Sequence, residues 1–276
     1  MWFDSKRPLA LSLALNGASS GGILVTPVLV LAIAHYGFAE AMKGSAILMA
    51  IVLIPIIAFW VKRPPVPVAA GPAMPQTATL ATRRGALRSL HLWSVVAPMA
   101  MALTAQVGFL VHQIALLEPM LGRAQVGLSV AALTIAAIVG RFGLGALATR
   151  LDMRRFTAWS VLSQAAALLA MTLTTDATAL FMACAVFGLS AGNLLTLPAL
   201  MIQREFQPAS FGMLVGLSWA ICQFTYSFGP GLLGVLRDAT GGYGAPLALC
   251  IALEIAAAAL IVRRPRGAQQ APVDFR

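Results

Sequence analysis

Charged residues are scarce in this chain. Asp, Glu, Lys and Arg make up 10% of its 276 residues, whereas a soluble domain carries about 25%. Hydrophobic residues account for 59%, so most of the surface must face something other than water. This composition excludes an ordinary water-soluble protein and predicts a protein embedded in a lipid bilayer.

Cysteine is also rare, and the usual signatures of enzymes are missing. Cys184, Cys222 and Cys250 are far apart, lie in apolar segments and lack metal-site spacing, so we interpret them as small packing residues. The sequence contains no Walker loop, zinc-type histidine pair or Gly-x-Ser-x-Gly elbow. We therefore expect a protein that is not an enzyme, that needs neither a metal nor another cofactor, and that is not driven by ATP bound to this chain.

Long apolar runs, by contrast, are abundant. Each is about 20 residues long, the length that a helix needs to cross the hydrocarbon core. None shows the alternating polarity of a membrane β-barrel. The sequence therefore predicts an all-α integral membrane protein with eight transmembrane helices. Their approximate limits are 9–34, 45–61, 92–117, 126–148, 156–174, 178–202, 211–236 and 243–262.

Basic residues outnumber acidic ones, 19 to 9, and they are unevenly distributed. If the N-terminus is cytoplasmic and the eight helices alternate in direction, 15 basic residues fall in cytoplasmic segments and three in external loops, and Arg141 lies within a helix. This asymmetry follows the positive-inside rule. It predicts cytoplasmic N- and C-termini in a multi-pass protein of the bacterial inner membrane. It also explains the net charge of +10 without a nucleic-acid partner.

A proline-rich stretch, residues 63–91, divides the chain. Its five prolines disfavour a regular helix, so we expect an extended cytoplasmic loop that ends in a basic lead-in helix, with Trp93 at the level of the lipid headgroups. The predicted organisation is therefore two helices, a loop, six helices and a cytoplasmic tail. These segments are residues 1–62, 63–91, 92–264 and 265–276.

Glycines and prolines recur inside the apolar runs. Two glycines four residues apart allow two helix backbones to approach closely in lipid, and three such pairs predict a compact bundle. Prolines interrupt helices, and transporters often use interrupted helices at binding sites. The glycine pairs are Gly17 and Gly21, Gly188 and Gly192, and Gly212 and Gly216, and the prolines include Pro98, Pro198 and Pro230.

The first apolar run carries a more specific pattern, which combines an aromatic pair, a basic pair, Leu-Ala and two glycines. These are Trp2-Phe3, Lys6-Arg7, Leu9-Ala10, Gly17 and Gly21. The pattern resembles the fifth-helix signature of the monocarboxylate-transporter-like branch of the major facilitator superfamily. Ser12 departs from the signature, since the family usually has glycine at that position.

A second pattern follows the fourth predicted helix. It is similar to the loop motif Gly-x-x-x-Asp-Arg-x-x-x-Arg in the second half of the same superfamily, although Thr149 stands where the motif has its acid. The resemblance implies a cytoplasmic gate loop. Its residues here are Gly145, Arg150, Asp152, Arg154 and Arg155.

A third pattern, from Gly229-Pro230-Gly231 to Tyr243, resembles the turn between helices eleven and twelve of the superfamily. Together the three resemblances identify the eight predicted helices as helices five to twelve of a twelve-helix transporter fold. The sequence would then lack helices one to four, as a truncated gene model or as a short variant.

Arg141 is the sharpest candidate for a substrate-binding residue. A charge within the membrane is costly and usually faces a bundle interior or a cavity, and a guanidinium can bind a carboxylate through two hydrogen bonds. In the monocarboxylate branch, an arginine of helix eight follows an aspartate by one turn. Arg141 matches that arginine, whereas Ala137 replaces the aspartate. The alternative is an arginine that reaches back to the cytoplasmic headgroups.

Two polar stripes are candidates for lining a substrate cavity. Gln106 and Gln113 are seven residues apart and share one face of a helix. Trp219, Gln223 and Tyr226 also share one face of their helix. Ordinary helix packing with hydrogen-bonded amides is the alternative for both stripes.

Three further polar residues have two interpretations each. Asn193 either binds substrate or forms hydrogen bonds between helices. Glu254, in the middle of the last apolar run, is either a proton-coupling site or a partner of Arg141, and a protonated carboxyl bonded to a neighbouring helix is the alternative. His112 can exchange a proton near physiological pH, or it forms hydrogen bonds at the outer headgroups.

These observations predict a secondary active transporter that moves a small solute by alternating access. The resemblance implies a small organic anion of the monocarboxylate type, with a proton or a counter-anion as the coupling ion. The expected partners are this solute and the lipid bilayer. The alternatives are an exporter of an amphipathic or aromatic compound, and a truncated membrane protein that transports nothing.

Overall fold

The computed structural model describes residues 7–60, 83–147, 151–207 and 210–263, although not every side chain within them, and those of residues 7–24 are not described. The described residues form helices and no strands, which confirms the predicted all-α fold. The helices are α1 (Arg7–Trp60), α2 (Arg83–Leu87), α3 (Leu90–Leu147), α4 (Met153–Leu173), α5 (Ala177–Leu194), α6 (Leu197–Glu205), α7 (Phe211–Tyr226), α8 (Gly229–Thr240) and α9 (Gly244–Val262).

Seven helical segments among the described residues are long and apolar enough to cross a membrane, as expected for a multi-pass membrane protein. The first predicted transmembrane segment, 9–34, is helical within α1, but most of its side chains, including all those of residues 9–24, lie outside the described residues. The seven segments are His35–Phe59, Leu90–Gly122, Gln125–Leu144, Met153–Leu173, Ala177–Leu194, Phe211–Thr240 and Gly244–Val262.

Some predicted limits need correction. The second segment begins ahead of the predicted residue 45, because the helix continues through Glu40 and Lys43, whose side chains pair with each other at 2.8 Å. The predicted helices 178–202 and 211–236 are each interrupted. New helices start with Pro198 and Pro230 in their first turns, where the missing amide hydrogen of proline is tolerated.

Two long helices each contain a break at a glycine. Gly37 in α1 has φ 76° and ψ 164°, and Gly122 in α3 has φ 75° and ψ 164°. Only glycine adopts this backbone conformation readily. In α3 the break reverses the chain direction, because the half before Gly122 runs antiparallel to α5 and the half after it runs parallel to α5.

The chain divides into two compact units, Met1–Ala78 and Thr79–Arg276. The boundary falls within the predicted proline-rich loop, of which residues 61–82 lie outside the described residues. The first unit contains α1, and the second contains α2 to α9.

The core of the second unit lies between α3, α4, α5 and α9. At its centre, the rings of Phe109 and Phe187 pack with their centroids 4.5 Å apart. Helices α7 and α8 pack against α3 at the side of this core. The predicted polar residues of α3, α5 and α9 are therefore carried by the most tightly packed helices.

The glycine pair in α5 confirms the prediction of close helix packing. A Cβ atom added to Gly188 would overlap the carbonyl oxygen of Leu133, and one added to Gly192 would overlap that of Ala137. Backbone therefore packs on backbone between α5 and the second half of α3. The pair in α7 differs, because a Cβ atom on Gly212 or Gly216 would meet no described atom within 4 Å.

Candidate functional site

Arg141 lies beside this close contact between α3 and α5. Its side chain is 3% exposed within the second unit, and its Nε atom donates a hydrogen bond of 2.9 Å to the carbonyl oxygen of Gly192. Glycine at 192 gives the guanidinium access to this carbonyl, because the helices approach there without side chains. Arg141 is therefore held inside the helix bundle of the second unit.

Asn193 is the next residue of α5 after the carbonyl that Arg141 binds. Its Nδ2 atom donates to the carbonyl oxygen of Leu189 in its own helix at 3.2 Å. Its Oδ1 atom is buried and has no hydrogen-bond partner among the described residues. Asn193 thus keeps an acceptor available close to the position of Arg141.

Gln106 belongs to a buried polar cluster that connects α3, α4 and α5. Nε2 of Gln164 donates to Oε1 of Gln106 at 3.3 Å and to Oγ of Ser190 at 3.1 Å. The Ser190 hydroxyl in turn donates to the carbonyl oxygen of Ser160. Oε1 of Gln164 has no partner among the described residues. Gln164 was not predicted, although an amide within an apolar helix is itself a signal.

Gln113 lies on the same face of α3 as Gln106, as the spacing predicted. It is 2% exposed, and its Nε2 atom lies 3.9 Å from Sγ of Cys184 in α5. Both glutamines therefore point into the second unit. Whether either one binds substrate stays a prediction.

Glu254 is fully buried, and neither of its carboxyl oxygens has a hydrogen-bond partner among the described residues. It therefore forms no hydrogen bond with Arg141. Two neighbours on the buried face of α9 define its position. Sγ of Cys250 lies 3.7 Å from the carbonyl oxygen of Ala105 in α3, and the carbonyl oxygen of Ile261 accepts a hydrogen bond from α4. Glu254 thus lies between these two contacts, in the middle of the bundle.

His112 uses both ring nitrogens to connect α3 to the turn around α8. Nε2 lies 3.0 Å from the carbonyl oxygen of Pro230, and Nδ1 lies 3.2 Å from the hydroxyl oxygen of Tyr243. The carbonyl oxygen can only accept, so Nε2 carries a proton and donates to it. His112 thus connects α3 to α8 and to the residue that precedes α9, and its role in proton coupling stays a prediction.

The stripe of Trp219, Gln223 and Tyr226 lies apart from these groups. The buried residues of α7 are Leu214, Ser218 and Cys222, on another face of the helix. Gln223 is exposed, and Trp219 and Tyr226 are half-buried. Within the second unit, the structure therefore does not bring this stripe together with the two buried glutamines.

A second polar group lies where α3 and α4 begin and α9 ends, a region that we call the Arg154 end. Arg154 is 2% exposed. Its Nε and Nη2 atoms donate to the two carboxylate oxygens of Glu205, each at 2.7 Å. It also donates to Oγ of Ser94 and to the carbonyl oxygen of Ile261, both at 2.9 Å. Nε2 of His91 lies 3.2 Å from Glu205. We call these five residues the Arg154 cluster.

Other residues of the predicted gate loop lie beside this cluster. Asp152 caps the N-terminus of α4 by accepting from the backbone amides of Arg154 and Arg155 at 3.0 and 3.2 Å, and the side chain of Arg155 is exposed. Arg150 and the side-chain position of Gly145 lie outside the described residues. Sequence reasoning missed Glu205 and His91, whose only signal is polarity at the ends of apolar runs.

Comparisons with known proteins agree with this architecture. A sequence model described as Major Facilitator Superfamily matches residues 1–230. The chain is 36% identical over 66 residues to the MFS-type transporter pynF of Aspergillus niger, a match that covers 24% of this chain and 15% of that protein. It is 38% identical over 64 residues to the uncharacterized MFS-type transporter YcxA of Bacillus subtilis, which covers 23% of this chain and 16% of that protein. Each match thus spans a small part of the relative.

Proposed function

Because this chain belongs to the Major Facilitator Superfamily, we propose that it is a secondary active transporter that moves a small organic anion by alternating access. Membership of the family implies membrane transport. The anion, of the monocarboxylate type, is our own assignment, as is the identification of the described helices with helices five to twelve. We further propose cytoplasmic termini, a bacterial inner-membrane location, and the division into residues 1–62, 63–91, 92–264 and 265–276.

The burial of the Arg141 side chain is the single observation on which this proposal depends. A buried cation in a membrane bundle is costly and is retained where it serves a function. Its Nε atom is fixed on the backbone of α5, so the planar fork of the guanidinium is held in one orientation. A held guanidinium is suited to binding a carboxylate through two parallel hydrogen bonds.

The remaining candidates take secondary roles in this proposal. Asn193 and the two glutamines supply polar contacts near the anion, and Trp219, Gln223 and Tyr226 line a wall of the pathway. Glu254 and His112 exchange the coupling proton. The gate loop around Asp152, Arg154 and Arg155 closes the pathway at one membrane face. Burial inside the bundle supports the roles of Asn193, the two glutamines and Glu254, and the contacts described above support those of His112 and Arg154.

The proposal is tested by uptake of radiolabelled pyruvate into proteoliposomes that contain the purified chain and carry an imposed proton gradient. We expect Arg141→Gln to reduce uptake at least tenfold, about 1.4 kcal/mol of lost transition-state stabilisation, because the amide cannot neutralise a carboxylate. Arg141→Lys, which keeps the charge without the fork, should retain partial uptake. Arg83→Gln is the matched control, since Arg83 is exposed at the start of α2. Unchanged uptake by Arg141→Gln would remove Arg141 from the site.

Export of an aromatic or amphipathic compound is the second candidate function, and the stripe on α7 favours it. Trp219 and Tyr226 are half-buried beside the exposed Gln223, an arrangement that suits contact with an apolar ring. This alternative predicts that Trp219→Ala abolishes efflux of an aromatic dye such as ethidium and that excess pyruvate does not compete. Competition by pyruvate would favour the anion.

A further inference from the structure

A groove of about 300 Å³ lies on the second unit at the Arg154 end. Its walls come from the beginning of α3 and the end of α9. Its apolar lining consists of Leu90, Trp93, Ala97, Pro98 and Leu260, and its polar groups are Ser94 and Arg263.

The position and lining of the groove suit a lipid chain better than a dissolved solute. It lies where the membrane-crossing segments Leu90–Gly122 and Gly244–Val262 respectively begin and end, which is the boundary between hydrocarbon and headgroups. Leu90 is 78% exposed and Leu260 is 38% exposed, so these apolar walls face the surroundings of the protein. An acyl chain in the groove would cover them.

The rim of the groove is basic. Arg263 is exposed at the end of α9, and Arg84 and Arg88 are exposed in and just after α2. Nε1 of Trp93 donates a 2.7 Å hydrogen bond to the carbonyl oxygen of Leu87, which fastens the end of α2 to the groove wall and brings Arg88 close to it. Among the described residues, the acidic side chains at this end are already engaged, because Glu205 binds Arg154 and Asp152 caps α4.

We propose that this groove is a binding site for an anionic phospholipid. One acyl chain packs against Trp93, Ala97 and Leu260, and the phosphate binds to Arg263 and Arg88. Basic pockets between membrane helices bind anionic headgroups, and tryptophan at a groove mouth is favoured at the headgroup level. The groove lies within the second unit. A lipid bound there is a different ligand from the transported solute, so the proposal does not depend on which solute is transported.

The site is connected to the Arg154 cluster. Ser94 lines the groove and accepts a hydrogen bond from Arg154 at 2.9 Å. Arg154 also donates to the backbone carbonyl oxygens of Ile261 at 2.9 Å and Arg263 at 3.4 Å. A lipid that holds α3 and α9 together therefore stabilises the cluster, and the unfolding temperature rises with the concentration of that lipid.

Native mass spectrometry of the full chain in detergent tests the proposal with added phosphatidylglycerol or phosphatidylcholine as the probe. We expect selective retention of phosphatidylglycerol. Arg263→Gln and Arg88→Gln should each weaken retention about fivefold, since one arginine near the headgroups contributes about 1 kcal/mol. The side chain of Arg263 is not the part that Arg154 contacts, so this variant should fold. Arg237→Gln is the control for the loss of one positive charge, because Arg237 lies near the junction of α8 and α9, away from the Arg154 end.

A second variant tests the groove independently of charge. Ala97→Phe fills the space between α3 and α9 and should abolish retention of phosphatidylglycerol, whereas Ala220→Phe, on an exposed position of α7, should not. Equal retention of the two lipids by the wild-type chain would overturn the proposal. Loss in the arginine variants with full retention by Ala97→Phe would also overturn it, because the lipid would then bind only through surface charge.

Discussion

The two polar regions of the second unit differ in how their polar atoms are satisfied. At the Arg154 end, the guanidinium of Arg154 binds both carboxylate oxygens of Glu205 and donates further bonds to α3 and α9. In the middle of the bundle, both oxygens of Glu254 and one oxygen each of Gln164 and Asn193 have no partner among the described residues. Both regions include residues of α3, α4 and α9, and the middle of the bundle adds Asn193 of α5 whereas the Arg154 end adds Glu205 of α6.

Buried polar atoms in folded proteins are almost always hydrogen-bonded, so the exceptions call for an explanation. In the Arg154 cluster, the charged groups of Arg154 and Glu205 bind each other and join the ends of α3, α4, α6 and α9, and Nδ1 of His91 is the cluster's atom without a partner among the described residues. The middle of the bundle keeps acceptors that a substrate, a proton or water can use. Among the described residues, the carboxylate of Glu205 is paired and serves stability, whereas the carboxyl group of Glu254 is without a partner and is the candidate for function.

The largest effect on stability is expected at the Arg154 cluster. Arg154→Gln leaves the Glu205 carboxylate without its main partner and should lower the free energy of unfolding by about 3 kcal/mol. The adjacent, exposed Arg155 provides the matched control. Arg155→Gln should change the free energy of unfolding by less than about 0.5 kcal/mol. Unfolding in detergent, followed by circular dichroism, measures both. Equal effects of the two substitutions would show that the cluster does not hold the bundle together.

A somewhat smaller loss of stability is expected when the close contact between Gly192 and α3, which lies beside Arg141, is disrupted. Gly192→Ala places a Cβ atom on the carbonyl oxygen of Ala137 and should cost about 2 kcal/mol, because backbone must shift to relieve the overlap. Gly216→Ala, whose Cβ atom meets nothing within 4 Å, should be neutral or slightly stabilising. Thermal unfolding of both variants measures these changes in stability. A tolerated Gly192→Ala would mean that α3 and α5 are not in backbone contact.

The smallest effect on stability is expected at Glu254. Glu254→Gln keeps the shape of a side chain whose oxygens bond to no described residue, so the free energy of unfolding should change by less than about 1 kcal/mol. Uptake should nevertheless lose its dependence on the proton gradient if Glu254 exchanges the coupling proton. Comparison of uptake with and without a pH gradient measures this. Gradient-driven uptake that matches the wild type would place proton coupling elsewhere.

Parts of the fold could be predicted from the sequence because they depend on local patterns. Run length predicted the membrane-crossing helices, and spacing predicted that Gly188 and Gly192 pack closely. The start of a new helix at Pro198 was not predicted, since membrane helices often continue through proline, as α3 does at Pro98. Whether a proline interrupts its helix depends on neighbouring helices that the pattern does not identify.

The candidate site was less predictable, because periodicity identifies a face of a helix but not what the face meets. Gln106 and Gln113 do share a face, and that face points toward α4 and α5. The pairing of Arg154 with Glu205 joins residues 51 positions apart, and it depends on which helix ends meet. The contact of Arg141 with a backbone carbonyl leaves no trace in side-chain spacing at all.

Binding of pyruvate to the purified chain is measured as the rise in unfolding temperature with ligand concentration. It tests most directly whether the solute binds in the middle of the bundle and not at the Arg154 end. The account predicts that wild type shows the rise, that Arg141→Gln shows none, and that Arg154→Gln starts from a lower temperature yet still shows it. A full rise in Arg141→Gln, or its loss in Arg154→Gln alone, would contradict the account.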